Sequence, residues 1–343
     1  MDQHRTCRPP VILPTDTPAR FATAVTRAVE LLRQGEVVAL PTETVYGLAA
    51  NALDAAAVAR IYAVKGRPAT NPLIVHVSSV AMARRCVRRW PAVAGRLAAA
   101  FWPGPLTLVL PRAERIPAVV TAGGPTVGVR WPNHPLTQAV IQECGFPLAA
   151  PSANLSNRLS PTTAAHVQAS LGPRIGWIVD GGPAPVGIES TVVDLSVDPP
   201  QLLRPGMIHA ESLRAVLGRL TAASPETADE EPRRSPGRLP RHYAPNATLV
   251  VWRWLNAADL EARIARHGWA LAQCHVLTYS SSLPSRDFGG VCRMPREAAA
   301  FARAFYAELH RCDARGARII IVEAPPETAD WRALADRLRR AAA

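Results

Sequence analysis

The most suggestive reactive side chains lie in the cationic run Lys65-Gly66-Arg67-Pro68. The chain has 39 lysines and arginines, and Lys65 is its only lysine. Lysine presents a compact point charge, whereas arginine presents a flat fork, so the two are not interchangeable beside a phosphate. The run therefore indicates a phosphate-binding turn. The alternative is a lysine retained by chance on a solvated face, where a charge contributes little.

Other short segments carry hydroxyl, amide, imidazole or guanidinium groups next to strand-like runs. Taken singly, each such residue could cap a helix or lie on the surface. Taken together they indicate one anion-binding crevice, because open α/β sheets collect ligands at strand ends. The members are Thr42, His76, Thr126, Arg130, Ser152, Asn154, Ser160, Ser190 and Arg204.

The common nucleotide-binding motifs are missing from the sequence. It contains no G-x-x-x-x-G-K-[ST] loop, no G-x-G-x-x-G turn opening a helix, and no H-E-x-x-H zinc motif. A nucleotide would therefore bind here in an unusual kind of site.

The composition is that of a globular protein large enough for two domains. The chain has 343 residues, of which 48% are hydrophobic and 19% charged. No apolar run reaches the roughly 18 residues that span a bilayer. The six cysteines are far apart and form no C-x-x-C pair, which favours reduced thiols over zinc or disulfides. We expect a cytoplasmic protein without membrane segments.

The net charge of +12 raises nucleic acid as a partner. The arginines, however, are spread along the chain, and no aromatic RNA-binding motif accompanies them. A generally basic surface is the simpler interpretation. Loose contact with RNA stays open.

The elements that must position these residues alternate between helix and strand up to about residue 220. The pattern predicts an α/β fold, a mixed twisted sheet covered by helices, over residues 20–220. Helices are predicted at 20–34, 55–64, 80–100, 134–144, 162–171 and 210–219. Strands are predicted at 37–40, 73–77, 106–110, 126–131, 147–150, 176–180, 191–195 and 201–204.

A polar, proline-rich stretch then separates a second alternation of strands and helices. Residues 221–246 are predicted to be a linker. Residues 247–343 are predicted to form a smaller parallel α/β domain. Its strands are expected near 247–252, 274–279 and 317–323, and its helices near 257–267, 296–314 and 329–341.

Through several motifs that occur in a fixed order, the sequence resembles the YrdC-like family of L-threonylcarbamoyl-AMP synthases. The resemblance rests on Pro41-Thr-Glu-Thr-Val-Tyr-Gly-Leu48, Lys65-Gly-Arg-Pro68, Asn71-Pro-Leu73, Pro151-Ser-Ala-Asn154 and Glu189-Ser-Thr-Val192, and covers about 20–210. The linker's Pro236-Gly237 and His242-Tyr243-Ala244-Pro245 resemble the longer, two-domain members.

The resemblance implies an enzyme that condenses L-threonine, bicarbonate and ATP into threonylcarbamoyl-AMP and releases pyrophosphate. The product would supply a tRNA threonylcarbamoyl transferase for N6-threonylcarbamoyladenosine modification of tRNA. Magnesium is expected with ATP. Such nucleotidyl transfer depends on positioning and charge neutralisation.

The resemblance also implies roles for single residues. Lys65 and Arg67 would neutralise the triphosphate as the catalytic cations. Nucleotide contacts are implied for Thr126, Ser152, Asn154, Ser160, Arg204 and, from a linker that acts as a lid, Tyr243. Threonine contacts are implied for Thr42, His76, Arg130, Ala150 and Ser190. Ala150 replaces a threonine of some relatives, so its contact would use the backbone.

No carboxylate pair is an obvious metal site, because Glu43 and Glu189 could equally hold loop backbone. Metal ligands are therefore left unassigned. Two other functions stay open. One is an RNA-binding module without ATP turnover, and the other is a carbamoyltransferase-type YrdC-like domain, whose cysteine pairs and further domains this chain lacks.

Overall fold

The structure, a computed structural model, describes residues 9–222, 243–280, 283 and 287–343. These residues form two compact units. The first contains 9–156 and 160–222, and the second contains 157–159 and the residues from 243 onward. The predicted linker, 221–246, falls mostly outside the described residues, so its extent and its role as a lid stay predictions.

The first unit is built on one mixed sheet of eleven strands, which confirms the predicted fold class. The strand order is β1-β8-β2-β3-β7-β4-β6-β5-β9-β10-β11. The strands are β1 Val11–Pro14, β2 Val38–Leu40, β3 Gly47–Asn51, β4 Ile74–His76, β5 Leu106–Pro111, β6 Thr126–Arg130, β7 Leu148–Ala149, β8 Trp177–Asp180, β9 Thr191–Asp194, β10 Gln201–Arg204 and β11 Thr221–Ala222.

Seven α-helices accompany this sheet in the described part of the unit. They are α1 Pro18–Arg33, α2 Ala55–Lys65, α3 Val80–Cys86, α4 Ala92–Phe101, α5 Pro135–Cys144, α6 Ala164–Leu171 and α7 Ala210–Leu217. Helix α2 shows how sequence sets the bounds. The Asp54 carboxylate accepts from the N–H groups of Ala56 and Ala57 at its start. Gly66, in the left-handed conformation at φ 59°, ends it. Lys65 is therefore its last residue.

Two predictions about this unit were wrong in detail. The single helix expected at 80–100 is two helices, because Pro91 has an extended backbone and caps α4 instead of continuing α3. No strand was predicted between 40 and 73, but Gly47–Asn51 forms strand β3 and pairs antiparallel with β2. Strands β1 and β11 were not predicted.

The second unit contains a four-stranded, wholly parallel sheet, as predicted. The order is β12-β15-β13-β14, with β12 Thr248–Trp252, β13 Cys274–Thr278, β14 Gly290–Arg293 and β15 Ile319–Glu323. Strand β14 was missed, because its short run Gly-Val-Cys-Arg lacks a clear alternation. Helices α8 Ala257–Arg266, α9 Ala298–Ala314 and α10 Arg332–Ala341 accompany it. Leu260 and Ile264 of α8 pack with Trp252 in one apolar cluster.

Candidate active site

One row of paired residues crosses the middle of the large sheet and carries three of the predicted site residues. Residues that pair across neighbouring strands share a face of the sheet. His76, Arg130 and Arg204 therefore lie on one face, and each is the last residue of its strand, as expected from the sequence. His76 pairs with Arg130 on the neighbouring strand. Leu108 pairs with Val129, so Thr107 lies beside Arg130. Thr107 pairs in turn with Val192, and Val192 pairs with Arg204.

Arg130 is the centre of this row and is only 4% exposed. Its Nη2 lies 2.7 Å from a carboxylate oxygen of Glu43. Its Nη1 donates to the Thr44 hydroxyl at 2.9 Å, and its Nε donates to the carbonyl of Gly104 at 3.4 Å. A guanidinium has five N–H groups, and these three contacts leave two of them for a ligand. Arg130 is thus held by three contacts and retains two N–H groups that can bind a ligand.

Several buried polar atoms around Arg130 have capacity for a further partner. Within the described residues, both Glu43 oxygens, Nη2 of Arg130 and Nδ1 of His76 and His134 make no well-aligned hydrogen bond. Buried polar groups are nearly always satisfied in folded proteins. A group of such atoms near Arg130 and Glu43 is therefore suited to a small polar ligand.

His76 is held in its neutral form. Burial, together with the nearby positive charge of Arg130, lowers its pKa to about 3. The pKa of His134 is also lowered by burial, with the Glu43 carboxylate acting in the opposite direction. At neutral pH His76 is therefore uncharged, and its ring can both donate and accept a hydrogen bond.

Lys65 is buried at the end of α2, so the alternative of a lysine on a solvated face was wrong. It is 2% exposed. Its Nζ donates to the carbonyls of Ser152 at 2.6 Å and Asn154 at 2.5 Å. Burial lowers the pKa of Lys65 well below its usual value, and the Arg67 charge adds to the effect. The structure thus brings together three of the residues predicted to bind ATP.

Arg67 braces the loop that follows α2. Its Nε donates to the carbonyl of Asn71 at 3.0 Å, and its Nη2 donates to the carbonyl of Pro72 at 2.8 Å. The side chain is 9% exposed. Its contact with a triphosphate remains a prediction, since part of the fork already holds backbone.

The turn at Ser152 is joined to the strands beside it. Ser152 forms an antiparallel bridge with Gly47, and the Ala153 N–H donates to the carbonyl of Tyr46 at 2.8 Å. The N–H of Ala150 donates to the carbonyl of Ile74, so a backbone contact from Ala150 would have to use its carbonyl. Thr126 is the first residue of β6. Its predicted nucleotide contact is not tested.

Ser190 and Arg204 are also brought together. Arg204 donates through Nε to the Ser190 carbonyl at 3.0 Å and through Nη2 to the Ser190 hydroxyl at 3.1 Å. The same hydroxyl lies 2.8 Å from that of Thr107. Nearby in the chain, the Ser160 hydroxyl donates to the Glu189 carboxylate at 2.5 Å. Ser190 thus links Arg204 to the row that contains Arg130.

The Thr42 turn is stabilised by its own side chain. The Thr42 hydroxyl donates to the carbonyl of Val45 at 2.6 Å and accepts from the N–H of Thr44 and Val45. Tyr46 fixes the other end, because its hydroxyl donates to the carbonyl of Gly182 at 2.7 Å and accepts from the Gly181 N–H. The threonine contact predicted for Thr42 remains a prediction.

Tyr243 belongs to the second unit and is buried there. Its ring centroid lies 6.0 Å from that of Tyr306, and the Arg337 guanidinium carbon lies 5.6 Å from the Tyr243 ring. Its φ of 63° is unusual for a tyrosine. Its predicted contact with ATP is not tested.

Sequence reasoning missed the contacts of Glu43 and Thr44 with Arg130 and the contact of Thr107 with Ser190. A carboxylate between two threonines in an otherwise apolar stretch was the available signal for Glu43. Among the described residues, no group of three or more histidine, cysteine or acidic side chains could hold a metal ion.

Comparison with known proteins defines the class of this fold and site. Residues 30–206 match the family model described as telomere recombination, which groups Sua5, YciO and YrdC proteins. Residues 208–343 match the C-terminal domain of threonylcarbamoyl-AMP synthase. The chain belongs to the threonylcarbamoyl-AMP synthase family, enzymes that make an adenylate. The predicted family and enzyme class are confirmed.

Relatives match along nearly the whole chain. The threonylcarbamoyl-AMP synthase of Bacillus subtilis is 41% identical, covering 93% of this chain and 92% of that protein. The synthase of Pyrococcus abyssi is 40% identical, covering 92% of each. The crystal structure of P. abyssi Sua5 complexed with L-threonine matches with a TM-score of 0.87 and 36% identity over 97% of both chains. Both units therefore follow this family.

A search for membrane-spanning helices covered the described parts of the chain. None of the helices there is both long and apolar enough to cross a bilayer.

Proposed function

We propose that the row around Arg130 and the buried cation Lys65 are the two halves of one site, which joins threonine to AMP through a carbamate. The threonine amine captures bicarbonate as a carbamate with loss of water. A carbamate oxygen then attacks the α-phosphate of ATP, and pyrophosphate leaves. The observation that carries this proposal is the set of buried cations, each already held by backbone or hydroxyl groups.

Threonine is assigned to the sheet face around Arg130. The two N–H groups that Arg130 retains can form parallel bonds to the substrate carboxylate. Neutral His76 suits the threonine hydroxyl, because an uncharged imidazole can both donate and accept. Thr42, Ser190 and the Ala150 carbonyl are proposed to complete the contacts. Crystals of the P. abyssi relative with L-threonine support an amino acid site in this fold.

ATP is assigned to the side of Lys65. Lys65 and Arg67 are proposed to face the triphosphate, where a compact charge and a fork neutralise oxygen atoms as pyrophosphate leaves. A triphosphate would also relieve the unfavourable burial of the Lys65 charge, because opposite charge raises a lowered lysine pKa. The remaining proposed contacts are Thr126, Ser152, Asn154, Ser160, Arg204 and Tyr243.

Magnesium is proposed to enter as part of the ATP substrate, held chiefly by phosphate oxygens. The product would pass to a tRNA threonylcarbamoyl transferase. The described cysteines are free thiols, which supports a reducing, cytoplasmic location. The basic surface leaves direct contact with tRNA as a separate question.

The decisive test is release of pyrophosphate from ATP by the purified chain. We expect release only when L-threonine, bicarbonate and magnesium are all present. Carbon-13 bicarbonate should place one labelled carbon in a product whose mass is that of threonylcarbamoyl-AMP. Omitting threonine or bicarbonate provides the matched control. Release that continues without either of them, or ATP left intact when all are present, would overturn the proposal.

A further inference from the structure

The second unit contains a cleft of about 620 Å³ that the proposed function does not use. It lies where β12 and β15 end and the chain turns toward α10. Val251 and Arg253 contribute from the end of β12, and Pro325 follows β15. In parallel α/β sheets, the carboxyl ends of the strands are where ligands bind.

The lining of the cleft combines apolar surface with positive charge. Its apolar part includes Val251, Pro325 and Leu338. Its cations are Arg253, Arg332 and Arg339, opposed by one lining carboxylate, Glu327. Arg253 pairs with Glu327 at 2.7 Å, and Arg339 pairs with Asp336 at 2.7 Å. The guanidinium groups of Arg253 and Arg339 are thus oriented by ion pairs, and a guanidinium has more N–H groups than one carboxylate contact uses.

Shape and charge together define the ligand chemistry. The volume falls within the range of about 300–1,000 Å³ typical of small-molecule sites. Guanidinium forks suit phosphate or carboxylate, and they also stack on flat rings. An apolar lining beside three arginines therefore fits a molecule that joins an acidic group to an apolar ring.

We propose that this cleft binds a small molecule with an anionic group on a ring-bearing body, of which a nucleoside monophosphate is the simplest example. The acidic group would lie against Arg332 and Arg339, and the ring would lie against the partly exposed Val251 and Pro326. The cleft shares no residue with the proposed active site. Failure of this proposal would leave the proposed function untouched.

The test uses the full chain and the photoreactive probe 8-azido-AMP, with peptide mass spectrometry to locate the label. We expect label within residues 251–253 or 325–342, displaced by AMP but not by adenosine or pyrophosphate. The double variant Arg332→Glu/Arg339→Glu should reduce this label by about tenfold or more, the effect of losing a charge-assisted hydrogen bond. Label on the first unit serves as the internal reference.

Two further variants separate loss of the site from loss of folding. Ala335→Trp fills the cleft from an exposed position on α10 and should also abolish the label. Arg266→Glu makes the same charge reversal on exposed helix α8 and should leave the label unchanged. Label confined to the first unit would overturn the proposal. So would label insensitive to Ala335→Trp, or displacement by pyrophosphate or a short RNA instead of AMP.

Discussion

The arginines of the candidate active site and those of the cleft in the second unit are used in opposite ways. In the first unit Arg130 and Arg204 are each 4% exposed, and their N–H groups bind hydroxyls, carbonyls or a buried carboxylate. In the second unit the cleft arginines Arg253 and Arg339 have side chains that are 66% and 74% exposed; Arg253 pairs with the exposed Glu327, and Arg339 pairs with the buried Asp336. The same side chain is therefore fixed in one region and solvated in the other.

The difference shows which charges are buried at a cost in folding free energy. Removing an ion from water is costly, and the cost is offset only when its hydrogen bonds are well made. The buried cations thus meet a charged substrate without further loss of solvent, which is how preorganised sites stabilise a transition state. Exposed cations attract ligands but keep their water until binding. This comparison predicts large effects of substitution in the first region and small ones in the second.

The largest effect on stability is expected for Arg130→Met. Removing the cation leaves Glu43 buried without its ion pair, which typically costs about 3–5 kcal/mol. The free energy of unfolding from urea titration would measure it. The double variant Arg130→Met/Glu43→Gln should recover much of that loss, because the stranded charge is gone. Equal losses in both variants would show that the ion pair is not the cause.

The next largest effect concerns activity in Lys65→Arg. The charge is kept, but a guanidinium cannot make the same close contacts with the Ser152 and Asn154 carbonyls and a phosphate oxygen. We expect pyrophosphate release to fall by about a hundredfold or more, in the range of losing one transition-state donor. Urea unfolding should report whether the fold is retained.

The matched control is Arg60→Lys, which exchanges the same two residue types earlier in helix α2. Arg60 is half exposed and pairs with Glu36 at the surface. Its exchange should leave synthesis near the wild-type rate. Wild-type synthesis by Lys65→Arg itself would show that the buried lysine is structural.

Sequence alone predicted the kinds of residues in this site better than their placement. Lys65 could be placed at a helix end, because Asp54 and Gly66 cap helix α2 and each acts within one turn of the end that it caps. The strand ends that carry His76, Arg130 and Arg204 could also be predicted, but their common row could not, because it depends on which strands pair and in what register. Glu43 was left unassigned for the same reason: its partner is distant in the chain and meets it only through the sheet. Helix caps depend on residues that are close together in the sequence, whereas strand register depends on the whole sheet.

The third prediction concerns acid stability and His76. Its pKa is lowered to about 3 in the folded chain, against about 6.5 when unfolded. Between those values the unfolded chain binds a proton that the folded chain does not, so stability falls as the pH falls. At pH 5 the contribution is roughly 2 kcal/mol. Above pH 7 it vanishes.

The free energies of unfolding of wild type and His76→Asn should therefore converge as the pH falls from 7 to 5. His209→Asn, which removes a histidine just before α7, is the control and should track the wild type. Parallel curves for wild type and His76→Asn would mean that His76 is not kept neutral, and the contrast between buried and solvated groups would weaken.

The smallest effect is expected for Arg253→Gln in the second unit. Its partner Glu327 has a side chain that is 85% exposed, so water replaces the lost contact at once. Exposed ion pairs of this kind contribute about 1 kcal/mol or less. Urea titration should place the variant within that margin of wild type, and raising the salt concentration should shrink the gap further, because exposed charges are screened. A loss as large as that of Arg130→Met would mean that exposure does not separate the two regions, and burial could no longer explain why the cations of the first unit matter more.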